Sequence, residues 1–200
     1  MYTWRSLTEE QKKEVLGYRI GQHFPWHSPP LLFKEGRFHL SAACFEHQSH
    51  IGRDLGRLAD FSQRLLERVK EHESPVFAWC VLPNHFHLLV ETDDLRYLKK
   101  EIGKLHGLTS REWNQEENTV GRTVWHRCAD RKIRNERHYW ATINYIHNNP
   151  VHHGYASTWT DWPFSSAADF IAQAGREKAV SIWRDYPVWD YGKGWDDPGL

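Results

Sequence analysis

Residues 76–82 and 85–92 read as two strands with nothing but Pro83-Asn84 between them, a spacing that permits only an antiparallel hairpin. In the second strand side chains alternate, so Phe86, Leu88 and Val90 face one way while His85 and His87 face the other. The apolar set needs helices to cover it. Ile51, Leu55, Leu58, Leu65 and Val69 recur at helical spacing, predicting a helix over 51–72 that Pro75 ends. Asp93-Asp94 open a second helix carrying Leu95, Leu98, Ile102, Leu105 and Leu108 on one face. With a strand at 38–45 before the first helix and a short strand at 121–126 after the second, the succession predicts an α+β fold. Its ferredoxin-like βαββαβ core has an antiparallel sheet whose first and third strands are central. Two helices cover one face of that sheet, and the other face is expected to be open.

The flanks are less regular. Thr8 and Gln11 form a capping box for a short helix over 8–17. An irregular lead-in over 21–36, with Pro25, Pro29 and Pro30, follows it. A third helix over 135–148, stopped at Pro150, carries Tyr145, and a Trp-rich tail over 159–200 holds one helix at 165–173. The expected organisation is an N-terminal helix and lead-in (1–36), a catalytic domain (37–150) and an extension packed on it (151–200).

Composition narrows the class. The 200 residues carry 26 basic against 26 acidic side chains and are 40% apolar, which excludes a disordered chain and a wholly basic DNA coat. Cys44, Cys80 and Cys128 lie too far apart for a disulfide framework or a Cys-x-x-Cys zinc site. The longest apolar run, 76–82, falls far short of the roughly 20 residues of a membrane helix. Arg5, Glu9, Glu10, Lys12 and Lys13 stand where a secretion signal would be apolar, so a cytoplasmic protein without a membrane partner is expected. The 11 Trp and 14 His are in excess, and both types serve nucleic-acid enzymes as readily as cores and surfaces. Between residues 120 and 140, Arg122, Arg127, Arg131, Lys132, Arg134 and Arg137 face only Asp130 and Glu136. Such a stretch is either a solvated surface or a track for phosphates.

Two histidines at i and i+2 on a strand can close on one metal ion, although the same spacing also fits surface decoration. On the third helix, Tyr139, Ile143 and Ile146 make the docking stripe, while Tyr145 and Asn149, four apart, share a neighbouring face. Asn149 precedes a proline, which biases it away from helical dihedrals. Trp125 is either a core residue or a platform for unpaired bases.

The string VLPNHFHLLVE, followed some sixty residues later by YIHNNPVHHGY and then by DWPFSS, resembles the REP-associated tyrosine transposases, within the single-tyrosine class of HUH endonucleases and insertion-sequence transposases. The resemblance spans roughly 38–170. It implies a metal-dependent enzyme that nicks and joins single-stranded DNA near REP-like hairpins through a covalent 5'-phosphotyrosine link, with Mg2+ or Mn2+ as cofactor and Zn2+ compatible in vitro. His85 and His87 match the family's metal-binding pair, Tyr145 its nucleophile, and Asn149 the place of a third polar ligand. Arg122, Arg127, Arg131, Lys132 and Arg134 are the candidates for gripping DNA. Such a protein would be nucleoid-associated, and either a monomer or a homodimer that swaps the tyrosine helix. Two alternatives stay open, a domesticated hairpin-binding protein that does not cut and a regulator whose metal is structural. A histidine-triad hydrolase is excluded by Leu89, which stands where its third alternating histidine would be.

Overall fold

The computed structural model describes residues 35–188 and Tyr191, together with Thr8, Glu10, Gln11 and Glu14. Residues 33–192 belong to one unit and the N-terminal segment to another. In the latter, Thr8 N–H donates to Gln11 Oε1 at 2.9 Å and Gln11 N–H to Thr8 Oγ1 at 3.3 Å, the reciprocal bonds of the predicted capping box. The rest of that helix, the lead-in over 21–34 and most of 189–200 lie outside the described residues.

The first strand, β1 (Gly36–Ala43), alternates Phe38, Leu40 and Ala42 into the core with His39 and Ser41 on the opposite face. Two 3-10 turns, Phe45–His47 and Ile51–Arg53, precede helix α1 (Leu55–Glu71), so the predicted helix begins four residues late. Asp54 is the reason: it is extended and its side chain accepts the Arg57 N–H at 2.8 Å, capping the helix there. Strands β2 (Val76–Val81) and β3 (His85–Thr92) form the expected hairpin, closed by Leu82 N–H to His85 O at 2.8 Å. Helix α2 (Leu95–Glu116) is capped by Asp94, which accepts the Tyr97 N–H at 2.9 Å. Its buried stripe runs through Leu95, Leu98, Ile102 and Leu105 and continues at Thr109 and Trp113, leaving Leu108 44% exposed. A straight 3.6-residue period passes through 109 rather than 108.

The last strand is not where the hydrophobic pattern put it. Strand β4 is Ala129–Lys132, antiparallel to β1 with His39 opposite Arg131 and Phe38 opposite Lys132. Residues 121–126 instead run beside the end of β1 as a bridge between Cys44 and Trp125. The cause is Trp125, which turns into the core, stacks on His106 with ring centroids 4.2 Å apart and donates its indole N–H to Thr109 at 3.0 Å. Trp125 is therefore a core residue and no platform for bases. The true edge strand, Ala-Asp-Arg-Lys, is polar and short, which protects an edge and erases the pattern that would reveal it.

The sheet order is β2-β3-β1-β4, all antiparallel, with the first and third strands central as predicted. Helices α1 and α2 enclose the principal core on one face. The other face is not open: helix α3 (Glu136–His152) lies across β2 and β3, and Ala78, Cys80, Leu89, Ile143 and Ile146 are buried there. Nor does Pro150 stop α3. The helix continues two residues beyond it, because proline withdraws only one N–H and the chain then closes with His153 N–H to Asn149 O at 3.1 Å and Tyr155 N–H to Pro150 O at 2.8 Å.

Segment 161–166 shields the outer edge of β2. Val81 N–H donates to Phe164 O, Ser166 N–H to Trp79 O and the Trp162 indole to Val81 O, at 2.8, 3.0 and 2.8 Å. Two helices follow where one was predicted, α4 (Ala167–Ala174) and α5 (Arg176–Asp185), separated by Gly175 at φ 83°. The second buries only Ala179 and Ile182, too few for a legible stripe. Asn144 of α3 holds its end, donating to Ile182 O and Tyr186 O at 3.2 and 2.8 Å. Among the described residues, the three cysteines are free and no helix is long and apolar enough to cross a membrane.

Candidate active site

The two imidazoles of β3 sit on the face that α3 covers, with ring centroids 5.0 Å apart and exposures of only 2% and 1%. Each is held by its Nδ1. His85 Nδ1 lies 2.7 Å from Asn84 Oδ1, and Asn84 Nδ2 in turn donates to His47 O at 3.1 Å. His87 Nδ1 lies 3.0 Å from Nε2 of His39, which projects from β1 toward the same face. The remaining nitrogen of His85, Nε2, meets Asn149 Oδ1 of α3 at 2.9 Å.

Tyr145, one turn before Asn149, brings its ring to 5.1 Å from His87 and 5.8 Å from His39. It is 6% exposed. A second phenol closes the group: the Tyr191 ring is 5.4 Å from that of Tyr145, and its hydroxyl is 2.7 Å from Thr142 Oγ1 and 3.3 Å from His39 Nδ1. Burial pushes the Tyr191 phenol up to about 12, so it stays protonated at neutral pH. The His153 ring lies 5.0 Å from His85, at the end of α3. One chain thus gathers Tyr145, His85, His87 and Asn149 in one place. Among the described residues no three His, Cys, Asp or Glu side chains cluster as metal ligands.

The five basic candidates separate. Arg131 is on β4 opposite His39 and within electrostatic range of Tyr191 and Tyr145. Arg134 borders, with Arg137, His138 and Tyr191, a cleft of about 400 Å³ beside the tyrosines. Arg127 is exposed on the approach to β4. Lys132 faces the α1/α2 side, its ammonium 6.0 Å from the Phe38 ring centre. Arg122 is engaged elsewhere, donating to Asn114 Oδ1 at 2.9 Å and to Glu117 at 2.6 Å.

That last cluster has a measurable consequence. Burial alone would raise the Glu117 carboxyl, but the guanidiniums of Arg122, Arg57 and Arg53 outweigh it and hold the group down to about 2. A depressed carboxyl contributes stability that is complete above its ordinary 4.5 and is lost as pH falls toward 2. Urea midpoints should therefore drop over that window, and Glu117→Gln, less stable at neutral pH, should show a shallower drop. An identical pH dependence in the variant would refute the assignment.

His39, Asn84, His153 and Tyr191 were not singled out in the sequence. For His39 the signal was present, since it alternates with Phe38 and Leu40 in a predicted strand; Tyr191 reaches the site only through the fold of the tail.

The family described as "Transposase IS200 like" matches residues 42–149. A Haemophilus influenzae relative assigned to the REP-associated tyrosine transposases is 29% identical over 117 residues, 54% of this chain and 66% of that one. The REP-associated tyrosine transposase of Escherichia coli is 35% identical over 98 residues, covering 44% of this chain and 52% of that one. The match thus spans about half to two thirds of these relatives' length. A solved REP-associated tyrosine transposase bound to a REP hairpin has the same fold, with TM-score 0.58 at 20% identity over 77% of this chain and 88% of that one. With the motif residues inside the matched span and gathered at one place, the chain belongs to the IS200-like family of tyrosine transposases, a family of enzymes that cut and rejoin DNA, and its relatives include the REP-associated tyrosine transposases.

Proposed function

We propose that this chain nicks and rejoins single-stranded DNA beside a hairpin, with Tyr145 as nucleophile and a divalent cation, Mg2+ or Mn2+, held by His85, His87 and Asn149. The observation that carries the reading is the convergence within one chain: Tyr145 packs on His87 while Asn149, four residues on, meets His85.

The donor set fits a cation. The His47 carbonyl can only accept, so Asn84 turns its NH2 to it and its oxygen to His85. His85 therefore carries its proton on Nδ1 and presents a lone pair from Nε2. Facing that lone pair across 2.9 Å is Asn149 Oδ1, while Asn149 Nδ2 is buried without a hydrogen-bond partner among the described residues. A cation bound at this pair would satisfy both acceptors at once.

A tyrosine hydroxyl is only about 0.1% phenolate at neutral pH, so it attacks a phosphodiester poorly unaided. A bound divalent ion polarises the scissile phosphate and offsets the charge that develops on it. In the step itself the Tyr145 oxygen bonds to phosphorus, the bond to the 3' oxygen breaks, and that oxygen leaves with a proton as a 3'-hydroxyl. The phosphotyrosine ester conserves the bond energy, so joining to another 3'-hydroxyl needs no further input. The solved neighbour's REP hairpin supports a hairpin ligand here, and a backbone-gripping role for Arg134 and Arg131 is supported by the cleft that Arg134 shares with Tyr191 and by the electrostatic reach of Arg131 to Tyr191 and Tyr145.

The test mixes the chain with Mn2+ and hairpin oligonucleotides and resolves the products on a denaturing gel. A band of protein joined to DNA is expected, abolished by a chelator and restored by adding the ion back. An adduct that survives complete chelation would remove the cation from the reading, and no adduct with any hairpin or ion would leave a binding protein rather than a nuclease.

A further inference from the structure

We infer that His147 is a positioning residue: it pins the back of helix α3 to the edge of β2 through Ser166, and so fixes the roll of the helix that aims Tyr145. This rests on Tyr145 being the nucleophile.

Side chains two apart on a helix stand about 200° apart around its axis, so His147 points away from the imidazoles that Tyr145 and Asn149 face. It is 0% exposed, and its Nε2 lies 2.9 Å from Ser166 Oγ. Ser166 in turn closes segment 161–166 onto β2: its hydroxyl accepts the Trp79 N–H at 2.9 Å and lies 3.3 Å from Trp79 O. The string DWPFSS, which contributes nothing to the group of imidazoles and tyrosines, thereby has a task, since its last serine ties α3 to the strand. The rings of Trp159 and Phe170 flank His147 at 5.9 and 5.2 Å. Asn144, one turn earlier on the same side of α3, is held by the end of α5.

Stability alone does not account for a histidine here. Its Nδ1 is buried without a hydrogen-bond partner among the described residues, a cost that an apolar side chain would not carry. Ser166 would keep both Trp79 contacts without it. What the hydrogen bond adds is direction, because apolar contacts allow a helix to roll and a hydrogen bond does not. A phenol oxygen stands roughly 9 Å from the axis of its helix, so a roll of about 10° displaces it by about 1.5 Å. A misplacement of about 1 Å at the reacting atoms costs about 100-fold in rate.

In the full chain without added metal, NOE contacts between the Tyr145 and His87 rings, whose centroids are 5.1 Å apart, report the aim of α3 without any reaction. His147→Leu should weaken them. It should also lower the rate of adduct formation with Mn2+ and saturating hairpin about 100-fold, while the denaturant midpoint and hairpin affinity stay close to wild type. His147→Gln, whose amide can reach Ser166, should recover most of the ring contacts and of the rate. Ser166→Ala leaves every residue of α3 in place and should show the same losses of contact and rate. It serves if His147→Leu does not fold.

Wild-type ring contacts and adduct rate in His147→Leu and Ser166→Ala would overturn the proposal, as would a rate that falls only in proportion to the folded fraction, or a His147→Gln protein no better than His147→Leu. If the ring contacts respond as expected but the wild type forms no adduct with any hairpin, the positioning role stands and the nucleophile reading fails.

Discussion

Tyr145→Phe should abolish the covalent protein–DNA adduct while leaving hairpin affinity within a few-fold of wild type. The substitution deletes one oxygen and keeps the ring that packs 5.1 Å from His87 and 5.4 Å from Tyr191, so the local structure has no reason to rearrange. Loss of a nucleophile removes the pathway rather than weakening it, and strand cleavage should drop on the order of 10⁴-fold or more. Tyr191 offers no substitute, since burial keeps its phenol protonated and its hydroxyl is engaged with Thr142. The measurement is the denaturing gel with Mn2+ and a hairpin oligonucleotide, run beside a binding assay. An adduct of wild-type intensity from the Phe variant would give the nucleophile to another residue.

The second large effect lies away from the chemistry. Gly52→Ala should unfold or severely loosen the turn that carries Asn84 and His85. A Cβ at residue 52 would stand 2.3 Å from Pro83 Cβ, 2.6 Å from Pro83 Cα and 2.9 Å from its Cγ. These are ring and backbone atoms, which cannot rotate away. The Gly52 N–H is also bonded to Pro83 O at 2.8 Å, so the two segments cannot part without losing that bond. Overpacking of this kind costs about 1–3 kcal/mol or more. Moving Pro83 drags Asn84, whose 2.7 Å contact orients His85, so the folded fraction should also bind Mn2+ more weakly. Gly103→Ala is the control, because nothing lies within 4 Å of its Cβ and it sits inside α2, where alanine is favoured by about 0.5–1 kcal/mol. Denaturant midpoints that do not separate the two variants would contradict the close approach.

Strands and helices with a strong period were legible from their residues alone. The β2/β3 hairpin, β1 and the two covering helices appear within a few residues of their predicted bounds, because burial on one face writes a period of 2 or 3.6 into the chain. The elements that were misplaced lack that imprint. Strand β4 is polar on an exposed edge, and the apolar stretch before it serves to plug Trp125 into the core. Helix α5 buries two side chains, and Pro150 sits in a last turn where a missing N–H is tolerated.

By itself the sequence determined the order of elements, the shared face of His85 and His87, and the spacing of Tyr145 and Asn149 on one helix, since each is a local consequence of backbone geometry. Only the tertiary structure decided that α3 closes over that face within the same chain, that Arg122 and Lys132 turn away from it, and that His39 and Tyr191 join it. These are distances between segments 48 to 152 residues apart, set by how the layers pack, and no local period encodes them.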